Sequence, residues 1–278
     1  MSYCWPVEPF DRQHAVRGFF CDPRVGDHGS KAFHFGIDVS APDGTPVYAV
    51  RAGAVDLEGA QNVAVVEAGG NREHGYWHIV PAVQHGERVA QHALLGHIAK
   101  GWGHVHFAER SGGEYWNPLR SGALAPFSDL GAPKVDRIVA ERRGVSLDPS
   151  SLAGVVDLIA EAHDIPPIAP PPPWHEVPVT PALVRWRLVR NGRAVVPWRI
   201  VADFRTTLPP ASHFAAVYAP RTRQNHPNAP GLFRFQLAAA FDTRGHPDGS
   251  YRLDVEAVDT RKNATRDHLA LTLTNGLL

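Results

Sequence analysis

The sequence predicts an all-β protein of two domains, and three observations carry that prediction. Between His34 and Glu109 the chain breaks into short β-branched and aromatic runs separated by glycine turns, with no helix of ordinary length among them. From Val184 to Leu273, apolar residues alternate with polar ones at the period of a half-buried strand. A stretch rich in proline and glycine, running from Pro118 to Pro133, separates the two patterns. The expected domains are residues 1–130 and residues 131–278.

Taken in order, residues 1–30 read as irregular, because Pro6, Pro9, Pro23 and several glycines interrupt any period, while Phe19-Phe20 reads as core. Asp43-Gly44 marks a turn before the strand-like run Thr45 to Val50. Gly53 closes that run, and Ala54 to Leu57, Asn62 to Glu67 and Gly75 to Val80 follow as strands. His85-Gly86-Glu87 and Leu95-Gly96 read as turns around two further short strands. Leu152, Val155, Val156, Ile159 and Ala160 fit a helical period as well as a strand. Ile165 to Trp174 is proline-rich and reads as a loop or semi-rigid spacer.

In the second domain, Asn191-Gly192 is the strongest short hairpin signal. Phe233 to Leu237, Tyr251 to Ala257 and Leu269 to Leu273 alternate as strands of a sandwich with one wet face on each sheet. On that reading the carboxylates Asp254, Glu256 and Asp259 lie on a solvated face, and no EF-hand spacing makes them a calcium loop.

Composition narrows the function. The 278 residues carry 44% hydrophobic and 20% charged side chains with a formal net charge of +0, which describes a globular chain with no general attraction to nucleic acid or an anionic membrane. No apolar run approaches the length of a membrane span. The start, Met1-Ser2-Tyr3-Cys4-Trp5-Pro6, lacks the basic and apolar regions of a secretory signal. Either the protein is not exported by that route or an export segment is missing from this sequence. Cys4 and Cys21 sit in no CxxC pattern; a disulfide between them and two buried thiols are both open readings.

The chemistry concentrates in His34-Phe35-Gly36-Ile37-Asp38 and, further on, His104-Val105-His106. Even spacings in extended chain point side chains to one face, so each pair can reach a common ion, and Gly36 leaves the space between His34 and Asp38 clear. Imidazole and carboxylate are zinc ligands, and a catalytic zinc takes three protein ligands plus water. Four candidates for three positions leave one histidine free to act on substrate.

These residues, with Gly44 to Ala49, Ala52-Gly53, Tyr76-Trp77-His78, Gly86, Gly96 and Phe107, resemble the lysostaphin- and LytM-type zinc metallopeptidases over roughly residues 5–120. The resemblance implies a LytM-like antiparallel β-sheet domain in which His34, Asp38 and His106 hold Zn2+. It implies that His78 and His104 are the catalytic residues that do not bind metal. It implies hydrolysis of peptide stems or cross-bridges of bacterial peptidoglycan, in a periplasmic, wall-associated or secreted protein. Members of the family commonly carry a longer loop rich in Gly, Ser and Thr before the HxH pair, and a Phe-Glu directly after it. Here the approach is Lys100-Gly101-Trp102-Gly103, and Ala108 separates Phe107 from Glu109. Gly249 to Asp259 resembles a strand pair of an immunoglobulin- or fibronectin-like sandwich, which would serve as an accessory module. That resemblance also inclines Leu152 to Ala160 toward strand.

Two other functions compete with hydrolysis. A scaffold or regulator of wall hydrolysis would keep the metal without cleaving. A lipoyl- or biotinyl-carrier hammerhead would need a lysine at a hairpin, and none occurs between Lys31 and Lys100. Trp77, Trp102, Tyr115 and Trp116 are candidates for a substrate groove, with Trp102 foremost, while His74, His92 and His97 read as turn or surface residues.

Overall fold

Short β-branched runs with glycine turns cannot bury a face alone, so they assemble into sheets. A computed structural model describes residues 2–26 and 30–277 of the chain. Its first half holds β1 (Val16–Gly18), β2 (Pro23–Val25), β3 (Lys31–Phe33), β4 (Ile37–Ser40), β5 (Pro46–Tyr48), β6 (Gly53–Leu57) and β7 (Asn62–Val66). It continues with β8 (Arg72–Trp77), β9 (Ile79–Pro81), β10 (Arg88–Val89), β11 (Leu94–Ile98), β12 (His104–Ser111) and β13 (Glu114–Trp116). The main antiparallel sheet runs β1-β4-β12-β8-β7-β6-β10, with β13 on β12. A second sheet runs β5-β11-β9, and β2 pairs with β3.

Odd and even positions of the central strands divide the work. Ile37, Val39, Val105, Phe107 and Tyr76 are fully buried in the core, so their neighbours Asp38, His104 and His106 face the other way. The same strand is anchored at its far end by Glu109, which accepts from Tyr3 Oη at 2.8 Å and from Arg120 Nη1 and Nη2, each at 2.7 Å.

Three sequence expectations need correcting here. Residues 1–30 are not wholly irregular: β1 and β2 are strands of three residues, too short to leave a period. Gly96 lies inside β11 rather than in a turn, where a Cβ would sit 2.3 Å from the Val80 carbonyl oxygen. The run Gly75 to Val80 is broken between β8 and β9 by His78, whose φ is +68°.

The second half holds β14 (Lys134–Arg142), β15 (Val145–Ser146), β16 (Val155–His163), β17 (Leu183–Arg190), β18 (Arg193–Asp203), β19 (Arg234–Asp242), β20 (Gly249–Val258) and β21 (Ala264–Leu273). One antiparallel sheet runs β15-β14-β16-β19 and the other β18-β17-β20-β21. Leu152 to Ala160 is strand from Val155 onward, and the Asn191-Gly192 hairpin turns with φ of 50° and 75°. Asp254 and Glu256 are not solvated as expected: both are buried beneath arginines, Arg187 and Arg252 on Asp254, Arg185 and Arg266 on Glu256. The short helix α1 (Phe214–Val217) packs on β19.

The two halves share a dense seam. Phe33 packs its ring against Phe204, Phe214 and Tyr218. Asp22, fully enclosed, accepts from Phe19 N at 2.9 Å on its own side and from Thr180 N at 2.8 Å across the seam. Tyr218 Oη donates to the Cys21 carbonyl at 2.8 Å. Cys4 and Cys21 are both free thiols, so the disulfide alternative does not form.

Also at the seam, Asp129, Asp164 and Asp259 bring carboxylate oxygens within 4.8 Å of one another. Burial pushes Asp164 up to about 8, against the hydrogen bond from Ile165 N, and the charges of Asp129 and Asp259 push the same way as burial. A raised folded-state pKa means the native state holds a proton that the unfolded chain, with a carboxyl near 3.9, has lost. That stability is complete below about pH 4 and is lost as pH rises through about 8, at about 1.4 kcal/mol per pH unit. Asp164→Asn keeps the shape but cannot ionise. We expect its urea midpoint to exceed that of wild type at pH 8, with a flatter dependence from pH 5 to 8; parallel curves would refute the assignment.

Candidate metal centre and active site

Each site residue is set by a local constraint. His34 follows β3, and its Nδ1 donates to the Phe19 carbonyl at 2.8 Å, which turns an unprotonated Nε2 inward. Asp38 on β4 stands directly across from His106 on β12. Arg24 Nη2 donates to Asp38 Oδ2 at 2.8 Å, leaving Oδ1 for the centre. Gly36 is required between them. A Cβ there would lie 2.4 Å from the Phe107 carbonyl oxygen and 2.7 Å from His106 Nε2.

Three donor atoms therefore converge. His34 Nε2 lies 2.8 Å from His106 Nδ1, and Asp38 Oδ1 lies 3.1 Å from each of them. Ligand bonds of about 2.0–2.1 Å in tetrahedral geometry put donors about 3.3 Å apart, so the triangle has the size and chemistry of a metal site. Charge states agree. Burial pushes His34 down, with the Arg24 charge adding to it, and burial pushes His106 down to about 4, so both rings present lone pairs at neutral pH. Burial alone would raise Asp38, but the surrounding histidines, His34 foremost, outweigh it and hold the carboxyl well below the usual range.

The two remaining histidines flank this triangle. His104 shares a face of β12 with His106, and its Nε2 is 3.4 Å from Asp38 Oδ1. Its Nδ1 has two suitors, the Trp102 carbonyl at 2.8 Å and Arg17 Nη2 at 2.7 Å. One ring nitrogen can donate to the first or accept from the second, not both. His78 sits at the break between β8 and β9, with its ring centroid 4.8 Å from that of His104. It stacks on Trp102 at 3.6 Å, and burial, followed by His104 and His106, lowers it to about 4. A left-handed φ on a non-glycine residue is costly and recurs at functional positions. All five predicted site residues are thus gathered in one place.

They open into a cavity of about 500 Å3 walled by Phe35, Trp77 and Trp102 on one side and by Trp174, Gln224 and Asn225 on the other. Tyr115 and Trp116 do not line it, whereas Trp77 and Trp102 do. His74 is not a turn or surface residue as expected but lies fully buried in β8, paired with Glu67 at 2.8 Å; His92 stacks on Phe10, and His97 lies exposed on β11. Sequence reasoning missed Arg17 and Arg24, which have no motif spacing to the histidines. It also missed the far wall, for which the only cue was a tryptophan ending a proline run.

Residues 32–118 match the sequence model of Peptidase family M23. Similar solved structures include the catalytic domain of lysostaphin from Staphylococcus simulans, 23% identical over 33% of this chain and 75% of that one, with a TM-score of 0.29. A zinc-containing peptidase from Vibrio cholerae is 19% identical over 44% of this chain and 40% of its own, with a TM-score of 0.37. LytU is 26% identical over 38% of this chain and 79% of its own, with a TM-score of 0.31. Comparison with curated proteins finds no significant match. The stretch that holds all five predicted site residues, residues 32–118, is thus similar to Peptidase family M23.

Proposed function

We propose that this protein is a zinc-dependent metalloendopeptidase that hydrolyses peptide bonds in the stems or cross-bridges of bacterial peptidoglycan. The observation that carries the reading is the convergence of His34 Nε2, Asp38 Oδ1 and His106 Nδ1 beside two further histidines in an open groove. His34, Asp38 and His106 would hold the metal. Zinc, when bound, supplies Lewis acidity toward the scissile carbonyl and lowers the pKa of water.

The chain's own residues do the rest. His78 and His104 share two tasks: accepting the proton of the attacking water and donating a hydrogen bond to the charge developing on the carbonyl oxygen. His78 is neutral at neutral pH and is held flat on Trp102, so its ring is oriented before substrate arrives. Arg24 fixes which oxygen of Asp38 faces the metal. Such a substrate places the working protein in the periplasm, at the cell wall or outside the cell. Among the described residues, no helix is long and apolar enough to cross a membrane.

We read the second half, beginning near residue 131, as an immunoglobulin- or fibronectin-like sandwich. The run β14-β16-β19, packed against β18-β17-β20-β21, supports this reading, since lettering the strands in chain order gives A-B-E against C′-C-F-G. Incubating zinc-loaded protein with purified peptidoglycan, beside His106→Ala, tests the function. New amino termini released by wild type alone are expected, and fragment masses identify the bond. A zinc-loaded wild type that releases nothing from a panel of wall types would favour the non-hydrolytic scaffold.

A further inference from the structure

Arg17 is the least satisfied charge around the groove. It sits half-buried on β1, and its guanidinium lies over the Trp174 ring at 4.4 Å. A guanidinium offers five N–H donors in a planar fork. Among the described residues, its one hydrogen-bond partner is His104 Nδ1, the nitrogen for which the Trp102 carbonyl competes. No carboxylate among them lies within ion-pair distance of it: Asp38 attracts it only from further off and is itself paired with Arg24. Other half-buried arginines find acceptors: Arg120 meets Glu109, Arg185 meets Glu256 and Arg187 meets Asp254, while Arg190 and Arg261 donate to backbone carbonyls. Leaving a cation partly desolvated and unpaired is costly unless something else supplies the anion.

Its position suggests what supplies it. A second cavity, of about 720 Å3, adjoins the first and shares Arg17, Trp102 and Trp174 with it. Ser40 to Asp43 and Gly101 to Gly103 on the peptidase side, and Pro171 to Pro173 with Pro227 on the sandwich side, form its walls. A peptide leaving the metal centre along this path passes between the two tryptophans and over Arg17. We propose that Arg17, braced by Trp174, is a subsite for a free carboxylate carried by the substrate peptide beside the scissile bond. The proposal rests on the peptidase reading for its substrate class. It also assigns the sandwich half a part in specificity, because Trp174 belongs to it.

The test uses the stem peptide L-Ala-γ-D-Glu-L-Lys-D-Ala and two relatives, one amidated at the D-Glu α-carboxylate and one at the C-terminus. Binding is read by tryptophan fluorescence in a His78→Ala background, where turnover is slowed about 10²–10⁴-fold, and cleavage is read in wild type. Amidation of the recognised carboxylate is expected to weaken binding about 10-fold, and the two amides show which carboxylate it is. Arg17→Gln should bind acid and amide within about twofold of each other, Arg17→Lys should keep part of the preference, and Trp174→Ala should weaken the acid selectively. Equal binding of acid and amides where Arg17 and Trp174 are both intact, or no binding of any of them, overturns the proposal. So does an Arg17→Gln enzyme whose kcat falls equally on acid and amide with KM unchanged, since that makes Arg17 only a positioning residue for His104. Cleavage without preference sinks the subsite and leaves the peptidase; preference in binding without cleavage of any wall substrate does the reverse.

Discussion

Asp38→Ala is expected to leave the protein folded, free of zinc after dialysis, and inactive on peptidoglycan. The variant removes one of three ligands and also strands Arg24, whose partner at 2.8 Å is gone. Losing a partner outside the ligand set typically costs about 10–100-fold in metal affinity or activity, so removing a ligand should exceed that. Metal content by elemental analysis and release of amino termini are the two readings. Retention of stoichiometric zinc would mean that His34 and His106 bind it with some other residue, such as His104. Cleavage that persists without zinc would sink the metallopeptidase reading altogether.

His78→Ala should separate binding from chemistry. Its ring makes no contact with the donor triangle short enough for ligation, standing 6.3 Å from His106 between centroids. Zinc content should therefore stay at the wild-type level while the cleavage rate falls about 10²–10⁴-fold, the usual worth of a general acid or base. Unchanged cleavage would remove His78 from the mechanism and leave His104 alone with both tasks. Loss of zinc together with activity would mean that the left-handed turn at this residue holds the neighbouring strands in place, and that its role is structural.

What the sequence revealed of this site, and what it hid, follow from one physical difference. His104 and His106 were readable as a pair because strand geometry alone puts alternate residues on one face, and β12 is a long strand. Asp38 was readable for the same reason, and the pairing of β4 with β12 then places it opposite His106. His78 was found by its resemblance to a motif, but its backbone was read as mid-strand, since nothing in Tyr76-Trp77-His78 signals a left-handed residue. Arg17 and Arg24 lie in strands of three residues, where no period can develop, and their partners come from tertiary placement. Trp174 was hidden for a stronger reason. A proline run fixes its own local conformation yet says nothing about which surface it will lie against. Asp254 and Glu256 look wet by alternation, and only the arginines on neighbouring strands bury them.

The seam has a consequence for how this chain can change. His34 takes its backbone hydrogen bond from Asp22, His34 N donating to the Asp22 carbonyl at 3.0 Å, and the Asp22 side chain is held by Thr180 N. The proposed metal ligand His34 thus inherits part of its geometry from a residue in the other half of the molecule. Shuffling either half onto a foreign partner would carry the motif along but leave its alignment behind. Drift at Thr180 or at the Phe204, Phe214 and Tyr218 cluster would then register as lost activity although none of these residues lines the groove, and ancestry would be shared by the halves as one inherited unit.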